Sequence, residues 1–241
     1  MPKLNIREIK SLTFDIFGTV TDWRSSIYNE GIKLARNKNI HNINWLDFAD
    51  SWRSQYTPYI NKVRIKELPW TTIDDLHKII LIKILNDYGI NNLNSEDIDD
   101  FNKTWHRLKL WPDVKEGLNR LKSKFKIATL SNGNIDLLTN IAKNADIQWD
   151  HILSAENSKH YKPDSQVYIT ALDLLSLKAK NVMMVAAHTF DLKAAKKIGM
   201  KTAYVYRNLE FGKNRKIEKI KKNEFDIIAN DFQDLANQLD T

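Results

Sequence analysis

After residue 110 the sequence alternates between predicted strands and predicted helices, and this alternation restricts the possible folds most. The strands are predicted over residues 125–130, 151–154, 181–187 and 202–206. The stretch 181–187 is almost entirely apolar, as is typical of a strand covered on both faces. Strands separated by helices predict an α/β protein with a doubly wound parallel sheet, a Rossmann-like core.

One further strand is predicted near the N-terminus, where Leu12 and Phe14 alternate with polar neighbours before Asp15, and Gly18 then breaks the pattern. Between it and residue 110, apolar residues recur at spacings of three and four, which predicts helices. An isolated buried strand needs a sheet to pair with, so the first strand is assigned to the later sheet. We therefore expect a core of residues 1–22 and 111–241, interrupted by a helical cap of residues 23–110.

Charge and cysteine content limit the classes of partner and compartment. The net charge is +7, but lysine and arginine are spread along the chain. The densest basic run, residues 207–222, also contains Glu210 and Glu218, so it is interpreted as a solvated face. We expect neither a nucleic-acid partner nor a membrane span. The absence of cysteine excludes disulfides and is consistent with a cytoplasmic protein.

Polar residues follow each predicted core strand. A single aspartate after a strand is commonly only a turn residue. Here, however, the C-terminal strand ends share one sheet edge and can converge. A buried carboxylate can act as a nucleophile, and a nearby lysine would keep it ionised. The residues expected to converge at this edge are Asp15, Thr19, Ser131, Asn132, Lys162, His188 and Asp191.

The spacing of these residues resembles the four motifs of the haloacid dehalogenase (HAD) superfamily, and the resemblance covers essentially the whole chain. The first motif is Asp15-x-Phe17-Gly18-Thr19, and the others lie at 130–133, at 162–164 and at Asp191. HAD phosphatases have an aspartate two residues after the nucleophile as general acid and bind Mg²⁺ with further acidic residues. Phe17 occupies that position here, a pattern that resembles the type II 2-haloacid dehalogenases. These enzymes use no metal or other cofactor.

The resemblance implies hydrolytic dehalogenation of a short 2-haloalkanoic acid, and a HAD-type phosphatase acting on a small metabolite stays the alternative. It implies that Asp15 is the nucleophile, that Lys162 keeps it anionic, and that Lys162 and Asp191 together position the water. Thr19 is counted with these catalytic residues, and a homodimer is possible. The remaining implied roles are substrate carboxylate binding by Ser131 and Asn132, halogen binding by Arg53, and apolar walls from Phe17, Tyr168 and Phe190.

The chain also departs from the better-known dehalogenases. Ala186 and His188 stand where those enzymes carry serine and asparagine. His188 is expected to replace the asparagine by hydrogen bonding to Lys162 or to the substrate.

Overall fold

The computed structural model describes residues 4–213 and 220–241. Six parallel strands form the central sheet, in the order β5-β4-β1-β6-β7-β8. This confirms the predicted α/β class with a parallel, doubly wound sheet. The strands are β1 (Ser11–Phe14), β4 (Lys126–Ser131), β5 (His151–Ser154), β6 (Val182–Ala186), β7 (Lys201–Val205) and β8 (Ile227–Ala229).

The centre of the sheet is buried on both faces. Every residue of β1 and of β6 is buried, which explains the apolar character of β6. Phe14 lies opposite Thr129 of β4 and Val185 of β6, so these three strands end at the same edge. Helix α6 (Val114–Lys122) precedes β4, and the helices that follow sheet strands are α7 (Ile135–Ala145), α8 (Ser165–Leu175), α9 (Thr189–Lys197) and α10 (Phe232–Gln238).

Helices dominate the segment between β1 and α6, as the spacing of apolar residues predicts. Asn44, Thr72 and Asn94 cap three of these helices by accepting hydrogen bonds from backbone N–H groups. The helices are α1 (Trp23–Lys38), α2 (Trp45–Ser54), α3 (Tyr56–Arg64), α4 (Ile73–Asp87) and α5 (Ser95–Asn102), followed by a 3₁₀ helix over Lys103–Arg107.

Two short strands stand at the ends of this helical segment. β2 (Thr21–Asp22) pairs antiparallel with β3 (Lys109–Leu110), so the chain leaves the sheet domain and returns to it at adjacent points. We propose on this basis that residues 23–110 act as a cap, with residues 1–22 and 111–241 as the core. Within the described ranges, no helix combines the length and apolarity needed to cross a membrane.

The interpretation of residues 207–222 as a solvated face is wrong for two of its charged residues. The side chain of Arg207 is only 6% exposed, makes a bidentate ion pair with Asp113 at 2.8 and 2.9 Å, and donates to the Thr19 carbonyl. Glu210 is only 3% exposed. Glu218 lies outside the described residues.

Candidate active site

The nucleophile expected from the sequence, Asp15, lies directly beyond β1 and is 8% exposed. Its Oδ2 accepts hydrogen bonds from the Thr19 hydroxyl at 2.8 Å and from His188 Nδ1 at 3.0 Å. Its Oδ1 accepts one from Lys162 Nζ, at 3.3 Å. The N–H of Ala187 donates to Thr19 Oγ1, so the hydroxyl proton of Thr19 is directed towards Asp15. Oδ2 of Asp15 therefore accepts two hydrogen bonds, whereas Oδ1 accepts a single, longer one.

Lys162 lies between two carboxylates. Its ammonium group is 2.6 Å from Asp191 Oδ2 and 3.3 Å from Asp15 Oδ1. The hydroxyl of Tyr168 donates to the other oxygen of Asp191 at 2.6 Å. Tyr168 is fully buried and hydrogen-bonded to Asp191, and its role as an apolar wall beside the substrate stays a prediction.

The charges around Asp15 favour its ionised form. Burial alone would raise the pKa of the Asp15 carboxyl, but the positive charge of Lys162 and the hydrogen bond from His188 together hold that pKa below its ordinary value. Burial likewise opposes the charge on Lys162, whereas Asp191 and Asp15 raise its pKa above the ordinary value. Asp15 is therefore an anion with a cation on either side.

His188 connects Asp15 to a residue that the sequence analysis placed on the surface. Its Nε2 is 3.1 Å from both carboxylate oxygens of Glu210, and its Nδ1 bonds to Asp15 rather than to Lys162. Burial lowers the pKa of His188, but Glu210 and Asp15 outweigh this and raise it to about 10. His188 is therefore an imidazolium that donates from both ring nitrogens.

The carboxylate of Glu210 is fixed by two partners. Trp23 Nε1 donates to its Oε1 at 3.1 Å, and His188 supplies the second contact. Burial raises the pKa of Glu210, but the positive charge of His188 brings it below the ordinary value. Glu210 is thus ionised, although nothing in the surrounding sequence pattern indicates a role at the site.

Ser131 and Asn132, expected to hold the substrate carboxylate, end the neighbouring strand β4. Ser131 is fully buried, and its hydroxyl oxygen accepts from the N–H of Gly133 at 3.2 Å. Asn132 Oδ1 accepts from the N–H of Lys162 at 2.8 Å. This contact fixes Asn132 at the site, and its role towards substrate stays a prediction.

Arg53 and Phe17 both contact Tyr56, and Arg53 also lies over the ring of Trp23, the partner of Glu210. The Arg53 guanidinium lies 4.1 Å from the centre of the Tyr56 ring. Phe17 is buried and makes edge contacts with Tyr56, His77 and Trp105. The helical segment therefore supplies both aromatic rings and a guanidinium group to the surroundings of Phe17 in the first motif.

Several polar atoms in this cluster are buried without hydrogen-bond partners among the described residues. They include Arg53 Nη1, both ring nitrogens of His77 and Nε1 of Trp105. Burial holds the pKa of His77 well below its ordinary value, so its ring is neutral and keeps one N–H donor. Leaving a buried donor unpaired costs about 1–3 kcal/mol, so these atoms are available to a ligand. The sequence analysis did not single out His77 or Trp105.

Phe190 lies at the solvent side of the site. It stacks on the His188 ring with centroids 5.7 Å apart and is 53% exposed. It therefore covers His188 instead of forming the enclosed apolar wall that the resemblance implies.

Comparisons with known proteins all relate this chain to haloacid dehalogenases. The family model of the haloacid dehalogenase-like hydrolases matches residues 9–199. The (S)-2-haloacid dehalogenase 4A of Burkholderia cepacia is 26% identical over 211 residues, covering 84% of this chain and 85% of that protein.

Two solved structures are similar over nearly their whole lengths. The L-2-haloacid dehalogenase PA0810 is 38% identical, with a TM-score of 0.90 and coverage of 96% of this chain and 99% of that one. The defluorinating L-2-haloacid dehalogenase Rha0230 is 36% identical, with a TM-score of 0.93 and coverage of 97% and 96%. The chain belongs to the haloacid dehalogenase-like hydrolases and, among them, to the L-2-haloacid dehalogenases.

Proposed function

We propose that the protein hydrolyses short 2-haloalkanoic acids to 2-hydroxy acids through an ester on Asp15, without a metal ion. The observation that carries this proposal is the buried Asp15 carboxylate, held anionic between Lys162 and His188, with the side chain of Phe17 beside it. An anionic carboxylate in a largely dry site is a strong nucleophile for carbon. Phe17 has no proton to give to a leaving group, and a halide needs none.

In the first step Asp15 attacks C2 of the substrate from the side opposite the halogen. The new bond joins a carboxylate oxygen to C2, and the carbon–halogen electron pair leaves with the halide. This inverts the configuration at C2. The unpaired Nη1 of Arg53 is the donor proposed to receive the developing halide.

In the second step water attacks the carboxyl carbon of the Asp15 ester. Lys162 and Asp191 are 2.6 Å apart and together position this water. The water proton passes to the Asp191 carboxylate, which returns it to the departing oxygen of the 2-hydroxy acid. Asp15 is then regenerated as a carboxylic acid, which releases its proton to solvent.

The substrate proposed here is a small anion, and the positive groups at the site suit it. Ser131 and Asn132 lie beside Lys162, and we assign them to the substrate carboxylate. Apolar contact with Phe17 would leave room only for a short carbon chain. No role for nucleic acid or for a membrane follows from this site.

A divalent cation would compete with groups that already occupy the acidic oxygens. Asp191 is bonded to Lys162 and Tyr168, and Glu210 is bonded to His188 and Trp23. Mg²⁺ requires several oxygen ligands in a near-octahedral array. The acidic side chains beside Asp15 are thus committed to cationic and neutral donors.

The test is halide release from 2-chloropropionate or 2-bromoacetate in excess EDTA, run beside hydrolysis of p-nitrophenyl phosphate in Mg²⁺. We expect chloride or bromide release at the same rate with and without EDTA, and little phosphate release. Activity lost in EDTA and restored by Mg²⁺, or efficient phosphate release alone, would contradict the proposal and favour the phosphatase.

We also propose a cytoplasmic homodimer. The absence of cysteine supports a reducing compartment. Ile79 and Ile82 of α4 and Ile65 beyond α3 are exposed apolar side chains of the helical segment, which support a self-association face there. Light scattering after gel filtration tests the dimer, and a mass equal to one chain at micromolar concentration would contradict it.

A further inference from the structure

The two carboxylate oxygens of Asp15 have different surroundings, and this difference assigns them different fates. Oδ2 accepts two hydrogen bonds, at 2.8 Å from Thr19 and 3.0 Å from His188. Oδ1 accepts one longer bond, at 3.3 Å from Lys162. The oxygen with fewer donors keeps a lone pair free for attack. Oδ1 is therefore the oxygen that joins C2, and Oδ2 becomes the carbonyl oxygen of the ester.

This inference rests on the proposed function. We propose that Thr19 and His188 form the oxyanion-binding site for hydrolysis of the Asp15 ester. Glu210 is the positioning residue that keeps His188 a hydrogen-bond donor to Asp15 Oδ2. When water adds to the ester carbon, the electron pair of the carbonyl bond moves onto Oδ2. Its negative charge then faces the Thr19 hydroxyl and His188 Nδ1–H. When the intermediate collapses, the bond from the carbon to Oδ1 breaks and the charge leaves Oδ2.

Glu210 determines the protonation of the imidazole through the nitrogen remote from Asp15. Nε2 faces both oxygens of Glu210 at 3.1 Å, so that nitrogen carries a proton. Nδ1 faces Asp15 and carries the second proton. Once Asp15 is esterified its charge is gone, but Glu210 still balances the imidazolium. The donor to Oδ2 thus persists into the step that needs it.

Positive charges at the site oppose the protonation of His188, whereas Asp15 and Glu210, at hydrogen-bond distance from its two ring nitrogens, favour it. Lys162 approaches Asp15 from the Oδ1 side, and Arg53 exerts its positive charge on Glu210. Phe190 covers the imidazole ring from solvent. His188 therefore has a carboxylate at hydrogen-bond distance from each of its ring nitrogens.

A donor that acts on the oxyanion should affect hydrolysis of the ester more than its formation. In the Glu210→Gln variant His188 is free to lose a proton, while the amide occupies the same volume. We expect the rate constant for ester hydrolysis to fall about 10- to 100-fold, since removing one oxyanion donor altogether costs about 100- to 1000-fold. We expect the rate constant for ester formation to change by less than about fivefold.

The experiment is a rapid-quench measurement with 2-chloropropionate on the full chain. It follows chloride release and the alkylated Asp15 peptide by mass spectrometry. Glu210→Gln should give a burst of one chloride per site and accumulate the ester. In this variant the rate constant for ester hydrolysis should begin to fall at a lower pH than in the wild type, because Glu210 no longer raises the pKa of His188. Glu116→Gln, an exposed residue of α6, is the matched control and should leave both rates unchanged.

A second variant distinguishes loss of the hydrogen-bond donor from a folding defect of Glu210→Gln. His188→Asn supplies an uncharged N–H donor and should restore ester hydrolysis in the Glu210→Gln background, without the alkaline loss. Equal slowing of both steps in Glu210→Gln, or no slowing of either, would overturn the assignment. If the wild type releases no halide from any 2-haloacid, the proposed function itself fails, which is a distinct result.

Discussion

Gly18 and Glu210 are so close that a β-carbon on Gly18 would lie 2.1 Å from Glu210 Oε1. Gly18 also has φ +85°, a left-handed conformation that disfavours other residues. The glycine of the first motif thus has two functions, because it allows the turn after Asp15 and leaves space for the carboxylate that holds His188.

We expect Gly18→Ala to destabilise the fold and to displace Glu210. The left-handed backbone costs about 1–2 kcal/mol with a side chain, and overpacking adds about 1–3 kcal/mol. Gly89→Ala is the matched control, because Gly89 has φ +69° but no atom within 4 Å of a β-carbon there. Urea unfolding of both variants should give a clearly larger loss for Gly18→Ala, and equal losses would contradict the steric argument.

Replacing the nucleophile should remove turnover and leave the fold intact. We expect Asp15→Asn to lower halide release by at least about a thousandfold, because the amide oxygen is a poor nucleophile. Asp173→Asn, an exposed aspartate of α8, serves as the control for loss of one negative charge. Retained halide release in Asp15→Asn, measured on protein with a normal circular dichroism spectrum, would show that another group attacks C2.

Removing the cation between the two aspartates should destabilise the protein as well as inactivate it. Lys162→Met leaves the buried carboxylates of Asp15 and Asp191 without a counter-ion, and breaking a buried pair in this way costs about 3–5 kcal/mol. Adding Asp191→Asn should recover part of that loss, because it removes one buried negative charge. Denaturant unfolding of the single and double variants measures the coupling, and purely additive losses would count against a shared ion cluster.

The protonation of His188 should also appear in the stability of the protein. Its pKa in the folded state is about 10, above the ordinary value of about 6.5. Because this pKa is higher in the folded state, protonation of His188 stabilises the fold. The stabilisation is complete below about pH 6.5 and is lost as the pH rises towards 10. We expect the difference in unfolding free energy between wild type and His188→Gln to shrink steadily over this interval. A difference that stays constant with pH would mean that His188 is neutral in the folded protein.

The unpaired ring nitrogens of His77 allow a test of whether this residue contributes to the stability of the fold or to substrate binding. His77 is neutral, 1% exposed and stacked on Trp105 with centroids 4.0 Å apart. His77→Phe keeps an aromatic ring in the stack and removes two unpaired nitrogens, so we expect unchanged or slightly higher stability. If His77 donates to the substrate or the halide, KM or the order of halogen preference should change in the same variant. A lower melting temperature would instead show that His77 serves the fold.

The sequence predicts the parts of this fold that depend on short-range patterns. Strand β5 has the predicted bounds, and Asp15, Lys162 and Asp191 converge because parallel strands end at one edge. β8 is missed, because three residues at a sheet margin give too short a pattern.

Glu210 escapes prediction for a different reason. It lies in an irregular stretch among basic residues, where no periodicity separates a buried carboxylate from a solvated one. Its burial depends on Gly18 and Trp23, nearly two hundred residues earlier in the chain. His77 gives a weak signal, since it shares a helix face with the apolar residues Ile73 and Ile80 of α4.

The bridge from Asp15 through His188 to Glu210 restricts the mutational routes by which such a site can arise. A buried glutamate gained before the histidine would lack its hydrogen-bonded cation and keep only the Trp23 N–H and the more general charge of Arg53, so it would be destabilising. A histidine gained first already has Asp15 as a partner, so it is tolerated while position 210 still carries a neutral side chain. Gaining the histidine before the glutamate therefore avoids an unstable intermediate protein, whereas gaining the glutamate first passes through one.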